Sequence, residues 1–420
     1  MKPEAGDRAA LALSVLVYLL LLWVGTSLLR GKGLALFLAG VVVLAFALAR
    51  FARGRRSTLY ALYFLTLLGV VTVLAGELVL RTSRGLVRGR VGNYVNGGYH
   101  DEPEGIYALD PHLGRAMRPS VSRLMYWNGH WWRHDANADG YRGPALERAA
   151  AVFLGDSLVY GHGVETGETV AARYAGRTGR PAANLGLQGA CPVQSLSLLR
   201  ERGLRLRPEV VFLCVHPNDL ADVTFWLDAG EIRTFLADSR QQPYLPLVRR
   251  ELSSPHRSAW DWWLLHAAVP LRSARLVRAL AHQGASTEGG APQAESAAPS
   301  AGPWLPRRAA LEEPFAPAQT GASEDVQLAW AVIRHAVERI RDASAGAGAR
   351  LVVLDLGYPF AFSAAVEDLA RTLQVDYSPA GRVALERALA GEPVYLADDG
   401  HWSPLGNEVV AGELARDGAR

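Results

Sequence analysis

The chain has 420 residues, with 44 basic and 41 acidic side chains and a formal charge of +3. This near balance, without a basic, aromatic-rich recognition module, argues against a nucleic-acid partner. Only two cysteines occur, Cys191 and Cys214, and they have neither metal-ligand spacing nor the number that a disulfide framework needs.

Three apolar segments predict a membrane region over residues 1–85. They cover about residues 9–29, 33–49 and 58–80, and only the last contains a charge, that of Glu77. Since a transmembrane helix needs about 20 apolar residues, the first and third segments are long enough and the second is at the lower limit. A cleaved signal peptide fits less well, because its apolar core would be too long and two more segments follow.

Arginine clusters beside these segments bear on the orientation of the membrane region. The loop between the second and third segments contains Arg50, Arg53, Arg55 and Arg56. The positive-inside rule holds such a loop in the cytoplasm, which places the C-terminal domain outside, in the periplasm or at the cell surface. A second cluster after the third segment favours the opposite orientation: Arg81, Arg84, Arg88 and Arg90. We expect a multi-pass protein with an extracytoplasmic domain and the lipid bilayer as its partner.

Residues 86–147 are expected to form a connecting segment packed on the domain that follows. The segment is rich in Gly, Pro, Trp and Tyr. Its stretch "MYWNGHWWRHD" could form an aromatic platform for a ligand, but core or interface packing is the more common role of such a cluster.

Residues 148–420 predict an α/β domain. The stretches "AAAVFLG", "PAANLG", "PEVVFLCVH" and "RLVVLDLG" have the composition of buried strands, and helical patterns alternate with them. This order predicts a parallel sheet with helices on both faces. An insertion at about residues 225–325 interrupts it, with helical stretches first. Its second part, "GASTEGGAPQAESAAPSAGP", is too polar and Pro-rich to bury a core and is predicted to be disordered.

Polar residues that could carry chemistry follow the predicted strands. Ser157 lies in "VFLGDSLVYG", at the carboxyl end of a strand, where open parallel sheets bind ligands. A nucleophilic serine also needs a base, an acid that orients the base, and donors to an oxyanion. His401, preceded by two aspartates, is the candidate base. Gly186, Gly189 and the Asn218 amide follow the next two strands and are candidate donors.

Four blocks in this order resemble the SGNH hydrolase superfamily, whose members are also called GDSL esterases. The blocks are "GDSLVYGHG", "NLGLQG", "HPND" and "DDGHWSPLGN". The resemblance covers about residues 148–220 and 325–418, and the lead-in is similar to that of membrane-anchored bacterial members. It implies a three-layer, flavodoxin-like domain with Ser157 as nucleophile and His401 as base. It also implies an oxyanion hole formed by Ser157 N–H, Gly189 N–H and the Asn218 side chain.

Two departures from the family pattern leave questions open. His216 stands where the third block normally begins with glycine, which bears on the backbone geometry at Asn218. The usual spacing of three residues before the histidine selects Asp398 as the acid, and this is the first choice. Relatives that acetylate exopolysaccharides often have Asp two residues before a His-Trp pair, which selects Asp399.

Other readings of these residues fit less well. An α/β-hydrolase needs Gly-x-Ser-x-Gly, and Val159 stands at the second glycine position. His162 and His216 lack partners with ligand spacing, so we expect structural or substrate contacts and no metal. Asp355 fits a turn or capping role. No cofactor is expected.

The sequence therefore predicts a serine esterase that acts through an acyl-enzyme, on an ester of an envelope glycan or lipid. An O-acyltransferase that modifies cell-surface polysaccharide would use the same triad. A different class of protein stays open as well, a non-catalytic module of an envelope polysaccharide assembly. The acyl group, the acceptor, the protein partners and the oligomeric state cannot be read from the sequence.

Overall fold

The structure is a computed structural model, which describes most of the chain after the predicted membrane region. The described residues are 75–83, 86–87, 89–96, 105–238, 245–247, 272, 276, 324–397 and 399–418. None of the described helices is both long and apolar enough to cross a membrane. The predicted spans, apart from residues 75–80, lie outside the described residues and stay predictions. Most of the 225–325 insertion and Asp398 also lie outside them.

The chain divides into two compact units. One comprises Met1–Gly97 with Ser254–Gly289, and the other comprises Gly98–Ser253 with Gly290–Arg420. In the first unit, residues 75–82 and α1 (Gly89–Asn96) are helical. Glu77 is buried there and accepts hydrogen bonds from Arg81 Nε at 2.6 Å and from the backbone N–H of Arg272 at 3.1 Å.

The second unit is built on a five-stranded parallel sheet, which confirms the α/β class expected from the sequence. Its strands are β5 (Ala151–Leu154), β6 (Ala182–Asn184), β7 (Val210–Cys214), β8 (Arg350–Leu354) and β9 (Asp376–Ser378). They lie in the order β6-β5-β7-β8-β9, and every neighbouring pair is parallel. In chain order this is 2-1-3-4-5, the flavodoxin-like arrangement. The side chains of β5 and β7 are buried throughout, as expected for strands covered on both faces.

Helices cover both faces of this sheet. The helices are α2 (Ser157–Tyr160), α3 (Val170–Thr178), α4 (Pro192–Glu201), α5 (Asp219–Trp226), α6 (Ala229–Leu236), α7 (Glu324–Gly346), α8 (Phe360–Leu373), α9 (Ala380–Leu389) and α10 (Pro404–Gly418). Val152 of β5 belongs to one buried cluster with Leu196 of α4 and Ile333 of α7. Phe153, the next residue, belongs to the other cluster, with Tyr174 of α3 and Leu414 of α10. Alternate side chains of one strand therefore enter opposite layers.

Two antiparallel hairpins precede the sheet. The first pairs β1 (Tyr107–Asp110) with β2 (Gly114–Met117), and the second pairs β3 (Ser122–Trp127) with β4 (His130–Asp135). Asn128 and Gly129 turn the second hairpin with φ values of 44° and 91°. Positive φ at both central residues is typical of a type I′ turn, for which Asn-Gly is the preferred pair. Met125 and Trp132 of this hairpin are buried in the same cluster as Val152.

Arg142 fastens the second hairpin to the segment that carries Ser157. Its guanidinium is buried and donates to four backbone carbonyls, those of Arg133, Tyr160, Gly161 and Val164. The same group lies over the ring of Tyr160, 4.9 Å from the centroid. Burial lowers the pKa of Arg142, although nearby acidic groups act in the opposite direction. Arg142 therefore holds the second hairpin against the segment that follows Ser157.

Candidate active site

Ser157 begins α2 directly after β5, at the carboxyl edge of the sheet. Gly155 precedes it with φ 153°, and a Cβ at Gly155 would lie 2.8 Å from Val159 Cγ2, so only glycine fits this tight turn. Asp156 caps α2, because its Oδ1 accepts a hydrogen bond from Leu158 N at 3.0 Å. The Ser157 side chain is held at the surface of the edge, partly exposed.

A serine, a histidine and an aspartate meet at this edge. His401 Nε2 lies 2.8 Å from Ser157 Oγ. On the other side of the imidazole, Nδ1 is hydrogen-bonded to Asp399 Oδ1. The same carboxylate oxygen accepts the backbone N–H of His401 at 2.9 Å. Ser157 and His401 are 244 positions apart in the chain, and the fold brings them into hydrogen-bond contact.

Asp399 is the carboxylate that contacts His401, whereas Asp398, the first choice made from the sequence, lies outside the described residues. Asp399 is buried, and its Oδ1 occupies the Nδ1 edge of His401. Its other oxygen, Oδ2, accepts a hydrogen bond of 3.4 Å from Asn128 Nδ2 in the turn of the second hairpin. The carboxylate in contact with His401 is thus the one two residues before the His-Trp pair.

The electrostatics of this pair favour the charged forms. Burial alone would raise the pKa of Asp399, but the positive charge of His401 and its hydrogen bonds outweigh burial and hold that pKa well below its usual range. Burial alone would lower the pKa of His401. The charge of Asp399, its hydrogen bond and the charge of Asp156 outweigh burial and raise it. The pair therefore stabilises a proton on His401 once the imidazole has accepted one.

The backbone amides of Ser157 and Gly189 are the oxyanion donors expected from the sequence. Within the described residues, neither Ser157 N–H nor Gly189 N–H has a hydrogen-bond acceptor. Gly189 adopts φ 65°, and a Cβ there would lie 2.9 Å from Arg115 Nη2, so both the backbone and the space require glycine. The carbonyl of Gly189 accepts from Trp226 Nε1 at 2.7 Å, and Arg115 Nη2 donates to the carbonyl of Gln188 at 3.0 Å. These contacts fix the loop that presents the Gly189 amide.

Asn218 lies next to the serine turn. It directly precedes α5, and its Nδ2 donates to Asp156 Oδ2 over 3.4 Å. His216, which replaces the usual glycine, contacts Asn218 Oδ1 through Nδ1 and accepts the Asn218 backbone N–H at 3.1 Å. Burial lowers the pKa of His216, although the charge of Asp156 acts in the opposite direction. The structure thus keeps the amide beside the serine turn despite the change at position 216.

Gly186 and Asp355, both noted in the sequence, have structural roles. The N–H of Gly186 donates to Asn184 Oδ1 at 3.0 Å, and a Cβ at Gly186 would lie 2.1 Å from Tyr160 N. Gly186 therefore allows its loop to pack against α2. Asp355 is buried and accepts hydrogen bonds from Ser363 Oγ at 2.9 Å and from Tyr377 OH at 3.1 Å, as well as from a backbone amide in its own turn.

His162, Asp399 and His401 form a group whose ligand atoms all lie within 4.8 Å of one another. The two imidazoles are stacked, with centroids 4.4 Å apart and planes at 26°, so their nitrogens do not converge on one point. The Nδ1 atoms of both rings also hold hydrogen bonds, to Asp399 and from Gln188. A metal site needs convergent lone pairs, which the stacked rings do not offer. Neither the stacking nor the contact of Asn128 with Asp399 was predicted from the sequence.

No protein-family model and no curated protein matches the chain. Similar solved structures include TesA, at 13% identity with a TM-score of 0.33, covering 63% of this chain and 94% of that chain. A GDSL-like lipase from Bacteroides thetaiotaomicron has 11% identity and a TM-score of 0.31, covering 65% and 88%. A catalytic mutant of Axe2, an acetylxylan esterase from Geobacillus stearothermophilus, has 10% identity and a TM-score of 0.32, covering 66% and 96%. Because these similarities are low, the function is argued from the geometry of the site alone.

Proposed function

We propose that the chain is a serine ester hydrolase that acts through an acyl-enzyme. The observation that carries this proposal is the hydrogen-bonded series of Ser157, His401 and Asp399, with 2.8 Å between Ser157 Oγ and His401 Nε2. A nucleophile, its base and the orienter of that base are thus within direct reach of one another, which is the geometric requirement of nucleophilic acyl transfer.

In the first half of the reaction, Ser157 Oγ attacks the acyl carbon of the ester while its proton moves to His401 Nε2. Asp399 stabilises the resulting imidazolium, and the amides of Ser157 and Gly189 with the Asn218 side chain stabilise the oxyanion. The imidazolium then gives its proton to the leaving alcohol, and the acyl group stays on Ser157.

In the second half, His401 removes a proton from water, whose oxygen attacks the acyl-enzyme. The carboxylic acid leaves as Ser157 recovers its proton. If a sugar hydroxyl takes the place of water, the same steps make the chain an O-acyltransferase. We favour hydrolysis over acyl transfer, because water needs no binding site for a second substrate.

The substrate and the location form the finer part of the proposal. Three apolar segments before residue 85 support a multi-pass membrane protein, and the arginines between the second and third support an outward-facing domain. An active site tethered to the outer face of a membrane meets the esters of envelope glycans and lipids. We therefore propose an ester of one of these two classes as the substrate.

Covalent labelling of the full-length chain with a fluorophosphonate probe tests the proposed activity. The wild-type chain should be labelled, because the base and the oxyanion donors activate Ser157 towards phosphorus as they do towards an acyl carbon. The Ser157→Ala chain, with the same thermal midpoint, should not be labelled. A folded wild type that is not labelled would instead favour the non-catalytic module of an envelope assembly.

A further inference from the structure

A second histidine, His162, packs against the base of the proposed triad. Its ring is stacked on that of His401, with centroids 4.4 Å apart and planes at 26°. The residue is only 7% exposed. Two tryptophans of the second hairpin enclose it, Trp132 with its centroid at 4.6 Å and Trp127, edge-on, at 5.7 Å. The face of His401 that His162 covers is therefore closed to water.

A hydrogen-bond chain fixes the proton on His162. Tyr107 OH donates to Gln188 Oε1 at 3.1 Å, which turns the amide nitrogen of Gln188 towards His162. Gln188 Nε2 then donates to His162 Nδ1 at 3.1 Å. An Nδ1 atom that accepts a hydrogen bond carries no proton, so His162 is the neutral tautomer with its proton on Nε2. A second proton on this ring would set two N–H groups against each other.

A neutral aromatic ring at this position has two effects on His401. Asp399 holds one edge of the His401 ring through Nδ1, but a contact at one edge leaves the ring free to tilt. Stacking on His162 fixes the plane of the ring, and with it the direction of Nε2 towards Ser157 Oγ. The negative face of an aromatic ring also attracts a cation, and His401 becomes one when it accepts the serine proton.

We propose that His162 is a positioning residue, which acts by ring stacking to hold the His401 imidazole in the plane that reaches Ser157. The inference rests on the proposed ester hydrolysis. It assigns no proton transfer to His162, because the hydrogen bond from Gln188 and the enclosure by tryptophan leave its proton where it is. Gln188 directly precedes Gly189, so the same chain of contacts joins the base to the loop that carries an oxyanion donor.

Paired substitutions separate the ring of His162 from its hydrogen bond. His162→Phe keeps an aromatic face but cannot accept from Gln188, whereas His162→Gln keeps a polar side chain for Gln188 but has no ring. Each full-length variant would be assayed for hydrolysis of p-nitrophenyl acetate and for the rate of fluorophosphonate labelling, with its thermal midpoint measured alongside. His162→Tyr and His162→Asn form a second pair for use if a variant of the first pair does not fold.

The ring-bearing variant should retain kcat within about threefold of wild type, with KM unchanged to within about twofold. The ring-less variant should lose about tenfold to a hundredfold in kcat at unchanged KM, because a misaligned base slows the chemical step without weakening binding. Equal losses in both variants, or no loss in the ring-less one, would overturn the positioning role. If the wild type is not labelled, the proposed function itself is overturned. If the wild type is labelled but the two variants have equal kcat, only this inference is overturned.

Discussion

At the scale of single residues, one carboxylate decides how the proposed base works. Asp399 accepts both the imidazole and the backbone N–H of His401 through Oδ1. The imidazole is thereby kept with its proton on Nδ1 and its lone pair on Nε2, directed at Ser157 Oγ. An amide in place of this carboxylate could donate to Nδ1 and reverse the tautomer, leaving Nε2 unable to accept the serine proton.

We therefore predict that Asp399→Asn lowers kcat for p-nitrophenyl acetate by about a thousandfold to ten-thousandfold, with little change in KM. Asp398→Asn is the matched control, because it makes the same chemical change one residue away, and it should stay within about threefold of wild type. Steady-state kinetics of the two full-length variants give the comparison. Loss of activity in the Asp398 variant alone would return the role of the acid to Asp398.

The same variant should change the pH dependence of its residual activity. Hydrolysis needs neutral His401, so kcat/KM rises as the pH passes upward through the pKa of this imidazole. In the wild type, burial acts to lower that pKa, but the charge and hydrogen bond of Asp399, together with the charge of Asp156, raise it overall. Without the charge of Asp399, burial lowers the pKa, and the acidic limb of the profile for Asp399→Asn should lie at lower pH than in the wild type. An unshifted limb would mean that another group controls the profile.

The residues that sequence alone could identify were those in the four blocks. Ser157, Gly189 and Asn218 follow strand ends, and parallel strands bring their carboxyl ends to one edge. His401 lies in the C-terminal loop before α10. The choice between Asp398 and Asp399 depends on the path of the loop that precedes α10, which the spacing to His401 does not determine. His162 lies in the first block, but the sequence pattern does not predict that its ring stacks on that of His401.

At the scale of elements, the second hairpin forms part of the site, although it lies outside all four blocks. Asn128 in its turn donates to Asp399 Oδ2, and His130 Nε2 contacts the carbonyl of Ala397 at 2.6 Å. The turn therefore supports the loop that carries the acid. The Asn-Gly sequence of the turn suits its two positive φ values. The contact of the turn with the Asp399 loop is long-range, so the local sequence pattern does not predict it.

Alanine substitutions at Gly129 and Gly167 test the turn, because the two positions have equal space for a Cβ but different backbone φ angles. A Cβ would meet no atom within 4 Å at either Gly129 or Gly167, but only Gly129 has a positive φ, of 91°. We predict that Gly129→Ala lowers the free energy of unfolding by about 1–2 kcal/mol, because L residues are strained in this region. Gly167→Ala should leave the stability within about 0.5 kcal/mol of wild type.

Thermal or denaturant unfolding of the two alanine variants measures the difference. Kinetics on the same samples connect the turn to the site, since a shifted turn moves the support of Asp399. We expect kcat to fall in the Gly129 variant and to stay unchanged in the Gly167 variant. Equal stability of the two would show that the hairpin adopts its conformation without the type I′ turn.

At the scale of the whole molecule, the sheet was the part most readily predicted. Its central strands are apolar runs such as "VVFLC", and helical patterns alternate with them, so both features predict a parallel α/β sheet. The edge strand β9, with the sequence "DYS", is too short and polar to be predicted in this way. The long helix α7 shows the same agreement of pattern and structure, since its buried positions, among them Val332, Ile333 and Ala336, repeat at helical spacing. The pairing of Arg339 with Asp238, which joins α7 to the end of α6, was not expected, because both residues are normally exposed.

The orientation of the molecule in the membrane is the last prediction, and it rests on the distribution of arginine. Four arginines lie between the second and third apolar segments, while Arg30 and Lys32 are the basic residues between the first and second. Moving the larger cluster across the bilayer is disfavoured, so an odd number of spans should leave the second compact unit outside the cytoplasm. Alkaline phosphatase, which needs its disulfides, becomes active only in an oxidising compartment and reports that side. A fusion after residue 95 should therefore be active and a fusion after residue 54 inactive, and the reverse pattern would mean that the arginines following the third segment set the topology.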